Sequence, residues 1–153
     1  FLLRDDIETI HAATDLLAEA KLSPELRNEA LYYRAKAYTK QKADKKAMED
    51  YRELAKDTRN SYGAEAKYQV AQSLYDAKEY AAAEKELLNY IEQSTPHAYW
   101  LARSFILLSD VYHATGKDLD ARQYLLSLQQ NYQGNDDIES MIESRLSKLK
   151  VEN

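Results

Sequence analysis

Three histidines, two acidic pairs, three glycines and one lysine run are the places in this chain where chemistry could begin. His11, His97 and His113 carry imidazoles that could bind a metal. A helical metal site needs two of them four residues apart beside a Glu, and these three stand far apart in the sequence. Asp5–Asp6 and Asp136–Asp137 could be carboxylate dyads. Adjacent residues on a helix point in different directions, however, and the positive end of a helix dipole already accounts for acids at a helix start. Gly63, Gly116 and Gly134 are isolated, so no glycine-rich phosphate loop exists. With no cysteine there is neither a thiolate nucleophile nor a disulfide framework. The inventory predicts no enzyme, no cofactor and no metal.

The lysine run Lys40, Lys42, Lys45 and Lys46 is broken by Asp44 and falls where a turn between helices is expected. With 26 acidic against 21 basic residues and a net charge of −5, the balance argues against a nucleic-acid partner. No apolar run approaches the roughly 20 residues that cross a bilayer, and no signal-peptide pattern opens the chain. The first residue is Phe1, which reads as a fragment cut from a longer protein. What remains is a binding surface, and its shape depends on the elements that carry it.

Those elements read as helices throughout. Val occurs three times in 153 residues, and apolar residues recur at spacings of three and four, as in Leu31, Ala35, Tyr38 and Leu101, Phe105, Leu108, Tyr112. Both prolines follow an N-cap residue, in Ser23–Pro24 and Thr95–Pro96. Asp136 with Glu139 resembles a capping box, and Lys148 and Lys150 suit a helix C-terminus. Gly116 and Gly134 follow periodic segments, as C-terminal caps do. The spacing predicts helices over 4–21, 24–41, 44–58, 62–77, 80–93, 96–115, 118–132 and 136–150. The short connections imply antiparallel hairpins.

The segments 30–38, 66–74 and 104–112 resemble one another. Each is followed by a small residue, Ala47, Ala83 or Ala121, at intervals of 36 and 38 residues, and four residues later by Tyr51, Leu87 or Leu125. Small residues on both helices (Ala35, Ala71, Ser109 and the three alanines) let backbones approach, and Tyr38, Leu74 and Tyr112 fill the gap between them.

This pattern resembles the tetratricopeptide repeat (TPR) family over residues 28–132. Phe105, Leu108, Ser109, Tyr112, Gly116 and Ala121 follow the motif. So do Val70, Ala71, Leu74, Tyr80, Ala83 and Leu87, and Leu31, Ala35, Tyr38, Ala47 and Tyr51. Lys67 replaces the motif aromatic in the middle repeat, and Arg34 replaces Leu in the first. The lengthened period is similar to that of bacterial cell-envelope TPR scaffolds, which implies the periplasmic side of an envelope. The resemblance implies an all-α, right-handed solenoid of antiparallel hairpins with about three repeats. It would form one domain over 1–153, the C-terminal fragment of a longer array.

Residues 4–21 read as the second helix of a preceding repeat, with Ala12 and Leu16 in the packing roles. The last helix reads as a cap, with one apolar stripe (Ile138, Met141, Ile142, Leu146, Leu149) and one polar side.

The resemblance also implies a protein or peptide partner on a concave face lined by first helices. Its positions here are Tyr32, Lys36 and Lys40, then Tyr68, Gln72 and Tyr75, then Arg103, Ile106, Asp110 and His113, with Glu29, Glu65 and Asp76 beside them. Tyr32, Tyr68 and Tyr75 are expected to be exposed; Tyr38, Tyr51, Tyr80 and Tyr112 are expected in the core. Some TPR modules hold acidic C-terminal tails in a clamp of Lys and Asn. Here Tyr32, Lys36, Gln69 and Leu107 occupy clamp positions and only Arg103 fits, so that clamp is absent. The alternative to a binding groove is a spacer or self-assembly unit, in which Leu3 and Ile7 mark the end where a further repeat docks.

Overall fold

A computed structural model of the chain describes residues 5–93 and 95–149. Eight helices and no strand occur among them. They are α1 (Asp6–Leu17), α2 (Pro24–Lys40), α3 (Asp44–Leu54), α4 (Ser61–Asp76), α5 (Tyr80–Glu92), α6 (Ala98–Ala114), α7 (Asp118–Asn131) and α8 (Ile138–Leu146). The chain divides into two compact units, Phe1–Val70 and Ala71–Asn153, with the division inside α4.

In the first unit α2 packs against both α1 and α3. Asp5 opens α1 by accepting from the Glu8 N–H (2.8 Å), and Ser23 opens α2 by accepting from the Leu26 N–H (3.2 Å), with Pro24 as the first helical residue. Ala35 and Ala47 are both buried, as close helix approach requires. In α1 the buried positions are Thr9 and Ala13, while Ala12 and Leu16 are half-buried. The expected pair is therefore one residue out of phase, a rotation of about 100°. Arg34 explains its departure from the motif. Its guanidinium donates to both oxygens of Asp50 on α3 (2.8 and 2.7 Å) and to Thr14 on α1 (3.2 Å). One side chain thus ties three helices together.

Gly63 has a stronger role than its place at a helix start suggested. The carbonyl oxygen of Asp57 lies 1.8 Å from where a Cβ would stand. Asn60 holds that approach, donating from Nδ2 to the same carbonyl (3.0 Å) and accepting at Oδ1 from the Gly63 N–H (2.8 Å).

In the second unit α6 packs against α5, α7 and α8, and α7 also meets α8. Ala102, Ile106, Leu125, Leu128, Ile138 and Ile142 form a buried cluster. The expected stripe of α8 faces inward, with Ile138 and Ile142 buried and Met141, Leu146 and Leu149 packed against the cluster. Burial of each isoleucine contributes about 1.5–3 kcal/mol.

Three expected caps differ. Helix α6 begins at Ala98, two residues after Pro96, and Thr95 instead accepts from the His97 N–H (3.3 Å) in a local turn. Asp136 accepts from the Ile138 N–H (3.1 Å), but Glu139 accepts from Gln129 (2.9 Å) and closes no capping box. Helix α7 ends at Asn131 with Tyr132 extended, so Gly134 is not its cap. Lys150 lies outside the described residues.

One turn recurs in atomic detail. After α2, α4 and α6 the chain closes with a six-to-one bond: Ala43 N–H to Tyr38 O (2.8 Å), Glu79 N–H to Leu74 O (2.9 Å), Lys117 N–H to Tyr112 O (2.8 Å). The left-handed position is Lys42 (φ 58°), Lys78 (φ 61°) and Gly116 (φ 79°). Four residues into the next helix, Ala47, Ala83 and Ala121 donate back to Ala43, Glu79 and Lys117 (3.0, 3.0 and 3.1 Å). The turns therefore carry the 36- and 38-residue intervals of the sequence.

Candidate functional site

The residues singled out from the sequence fall into three groups. Gln72, Tyr75, Asp110 and His113 line one cavity of about 360 Å³ in the second unit, together with Ser109 and with Arg145, Lys148 and Leu149 from α8 and the residues after it. Helices α4 and α6 supply the first set, so residues far apart in the chain converge on one space.

The cavity is polar and ionic. The guanidinium of Arg145 reaches both oxygens of Asp110 at 3.3 and 3.4 Å. Burial pushes the Asp110 carboxyl above the usual carboxylate range, and Arg145, His113 and Lys148 oppose that rise. Burial and the neighbouring Asp110 charge raise the Tyr75 phenol, whose ring also packs on Tyr80 (centroids 5.6 Å apart). Gln72 is steadied by a bond to Asp76 (2.9 Å). The His113 ring is held by Nδ1 at 2.8 Å from Asp118, which leaves Nε2 as its other polar atom.

Tyr32 and Lys36 come together in the first unit, but around an internal acid. Lys36 pairs with Glu65 at 3.0 Å, and the Tyr32 hydroxyl donates to the same carboxylate at 2.9 Å. Burial pushes the Tyr32 phenol up to about 12, with Glu65 adding to the rise. Burial works against the Lys36 charge, yet the bonds to Tyr32 and Glu65 prevail and raise its pKa. Lys36 also sits over the Tyr32 ring (5.0 Å), which stacks near Tyr62 (4.6 Å). These groups satisfy one another. Lys40 is exposed at the last turn of α2.

Two of the remaining groove positions fail on burial. Tyr68 is 5% exposed and Ile106 1%, so both belong to the interior and neither lines a groove. Arg103 lies over Tyr99 and Trp100 (5.8 Å each) and donates to the Tyr99 hydroxyl (3.0 Å). Of the four tyrosines expected inside, Tyr51 and Tyr112 are buried while Tyr38 and Tyr80 are half-buried. Tyr38 instead lies under Arg34 and Lys46 (5.8 Å each). Tyr90, which the motif reading passed over, is wholly buried.

Arg145 and Lys148 were missed as well. The signal was present: Arg145 follows Ile138 by seven residues and Ile142 by three, which puts a charge on the apolar stripe. Among the described residues no three His, Asp or Glu converge as a metal site, and no helix is long and apolar enough to cross a membrane. A second cavity of about 300 Å³ lies at the start of α6 and the end of α7, lined mainly by apolar groups such as Leu101, Phe105, Leu128 and Tyr132.

Comparison with protein-family models, with curated proteins and with solved structures found no match for this chain.

Proposed function

We propose that this chain is a TPR-like interaction module that receives a segment of another protein in the cavity beside α4, α6 and α8, without a catalytic step of its own. One observation carries the reading. Four residues chosen by motif position, Gln72, Tyr75, Asp110 and His113, meet around a single space of about 360 Å³. That volume is within the usual range for binding pockets. The recurring turns support the repeat view, in which about three hairpins stack as a right-handed solenoid behind a half repeat, with α8 as the cap.

The test is a random-peptide display selection against the intact chain, repeated on a Gln72→Ala, Tyr75→Ala double variant. Tyr68 is unsuitable for this purpose, because truncating a buried tyrosine would disturb the fold. Peptides enriched by the parent chain and lost by the variant, at matched thermal midpoints, support the reading. Equal enrichment by both sinks it.

A second reading has its own observation. Ile7 is 59% exposed on α1, where a further repeat could dock in a longer solenoid. On that view Ile7→Lys disrupts assembly of the longer array while the cavity variants leave it intact. Leu3, the other expected docking residue, lies outside the described residues.

A further inference from the structure

The charges around the cavity do not balance. Arg145 and Lys148 face it, with Asp110 as the one carboxylate among the described residues of its lining. The Lys148 ammonium makes no hydrogen bond or ion pair among the described residues, and neither does Nη1 of Arg145. The grip of Arg145 on Asp110 is also loose. The same two-point pairing is made at 2.8 and 2.7 Å between Arg34 and Asp50, but at 3.3 and 3.4 Å here. In the first unit the comparable lysine, Lys36, already has Glu65 and Tyr32 as partners. In the second unit the described lining of the cavity sets two cations against one acid.

We propose that this cavity takes a carboxylate from an acidic segment of the partner, gripped by Arg145 and Lys148. The inference rests on the cavity being the docking site. Among the described lining residues two cations over one acid leave a single positive charge, which one carboxylate neutralises. A dianionic phosphate would leave excess negative charge against Asp110, so the site favours a carboxylate. Guanidinium and carboxylate match as planar, two-point partners. Asp110 then orients Arg145 from behind, while Tyr75 and Leu149 offer apolar contact to the methylenes of a Glu side chain. The site differs from the tail clamp excluded above: its cations come from the last helix and the residues just after it, and the clamp positions contribute neither.

The test uses the intact chain and a short fluorescent peptide of alternating Glu and Ala, its Gln–Ala counterpart, and inorganic phosphate and free glutamate as competitors. The Glu peptide should bind roughly tenfold more tightly than the Gln peptide, and the gap should shrink as salt rises. Arg145→Gln and Lys148→Gln should each weaken only the Glu peptide, by about fivefold or more. Lys148 is exposed, so its variant should keep the parent melting temperature if Arg145→Gln disturbs the fold. Equal affinity for both peptides overturns carboxylate recognition, and leaves the docking reading standing if Gln72→Ala still weakens both. If phosphate displaces the Glu peptide as well as free glutamate does, the carboxylate assignment is overturned. If the Glu peptide does not bind while display-selected peptides do, the inference falls alone; if no peptide binds, both readings fall.

Discussion

At the scale of single residues, the three turns after α2, α4 and α6 pose one backbone problem and meet it with two kinds of residue. A left-handed residue is needed at position 42, 78 or 116, and only the last is glycine. For an L residue with a Cβ that conformation costs about 1–2 kcal/mol. Lys42→Gly and Lys78→Gly should therefore each stabilise the chain by about 0.5–1 kcal/mol, after the extra freedom glycine has when unfolded is counted. Gly116→Ala should cost about 1 kcal/mol from the backbone alone, because nothing lies within 4 Å of the added Cβ. Urea midpoints of the three variants check this, and a loss of stability in both glycine variants would contradict it. Gly116 was legible in the sequence because glycine advertises its freedom. Lys42 and Lys78 were not, since a lysine in a turn looks like solvated charge.

At the scale of elements, α1, α2 and α3 are joined through Arg34, whose partner Asp50 has a side chain only 5% exposed. The bond to Asp50 raises the Arg34 pKa against the opposing effect of burial. Removing one member of such a pair strands the other charge, so Arg34→Ala should cost about 3–5 kcal/mol. Arg34→Met with Asp50→Leu removes both charges and should recover most of that loss, which thermal melts of the single and double variants would show. A double variant as unstable as Arg34→Ala would mean that the three-helix tie, and not the stranded acid, sets the cost. Helix count and the start of α2 were legible here because the periodic apolar spacing and the Ser23–Pro24 cap are local signals. Helices α1 and α3, however, end at Leu17 and Leu54, short of the expected 21 and 58. The phase of α1 was not, since Ala12 and Ala13 are both small and only packing separates them. The candidate cavity was legible on its α4 and α6 sides, through motif position. Its α8 side was missed because Arg145 was assigned to neither side of the last helix, although its spacing from Ile142 placed it inward.

At the scale of the whole chain, tyrosine replaces phenylalanine almost throughout, 13 against two, and this choice governs the response to alkali. Burial is the leading cause of a raised phenol at Tyr32, Tyr51, Tyr62, Tyr75, Tyr90, Tyr112 and Tyr132. Nearby carboxylates reinforce it, as Asp136 does for Tyr132, which is pushed up to about 12. A group whose folded pKa lies above its unfolded value favours the fold fully while the pH is below the unfolded value. For these phenols that limit is 10.0, and the contribution is lost as pH rises through their elevated values. The unfolded chain sheds its phenolic protons first, so each further step in pH draws the equilibrium toward it. Stability should therefore hold up to about pH 10 and fall steeply between there and about pH 12. Tyrosinate absorbance at long wavelength and helical circular dichroism, followed together, should change in one shared transition. Tyr90→Phe removes a wholly buried phenol, which should move that transition to higher pH. If instead tyrosinate forms near pH 10 while the helices persist, the phenols are open to solvent, and the burial that places Tyr90 in the interior is wrong.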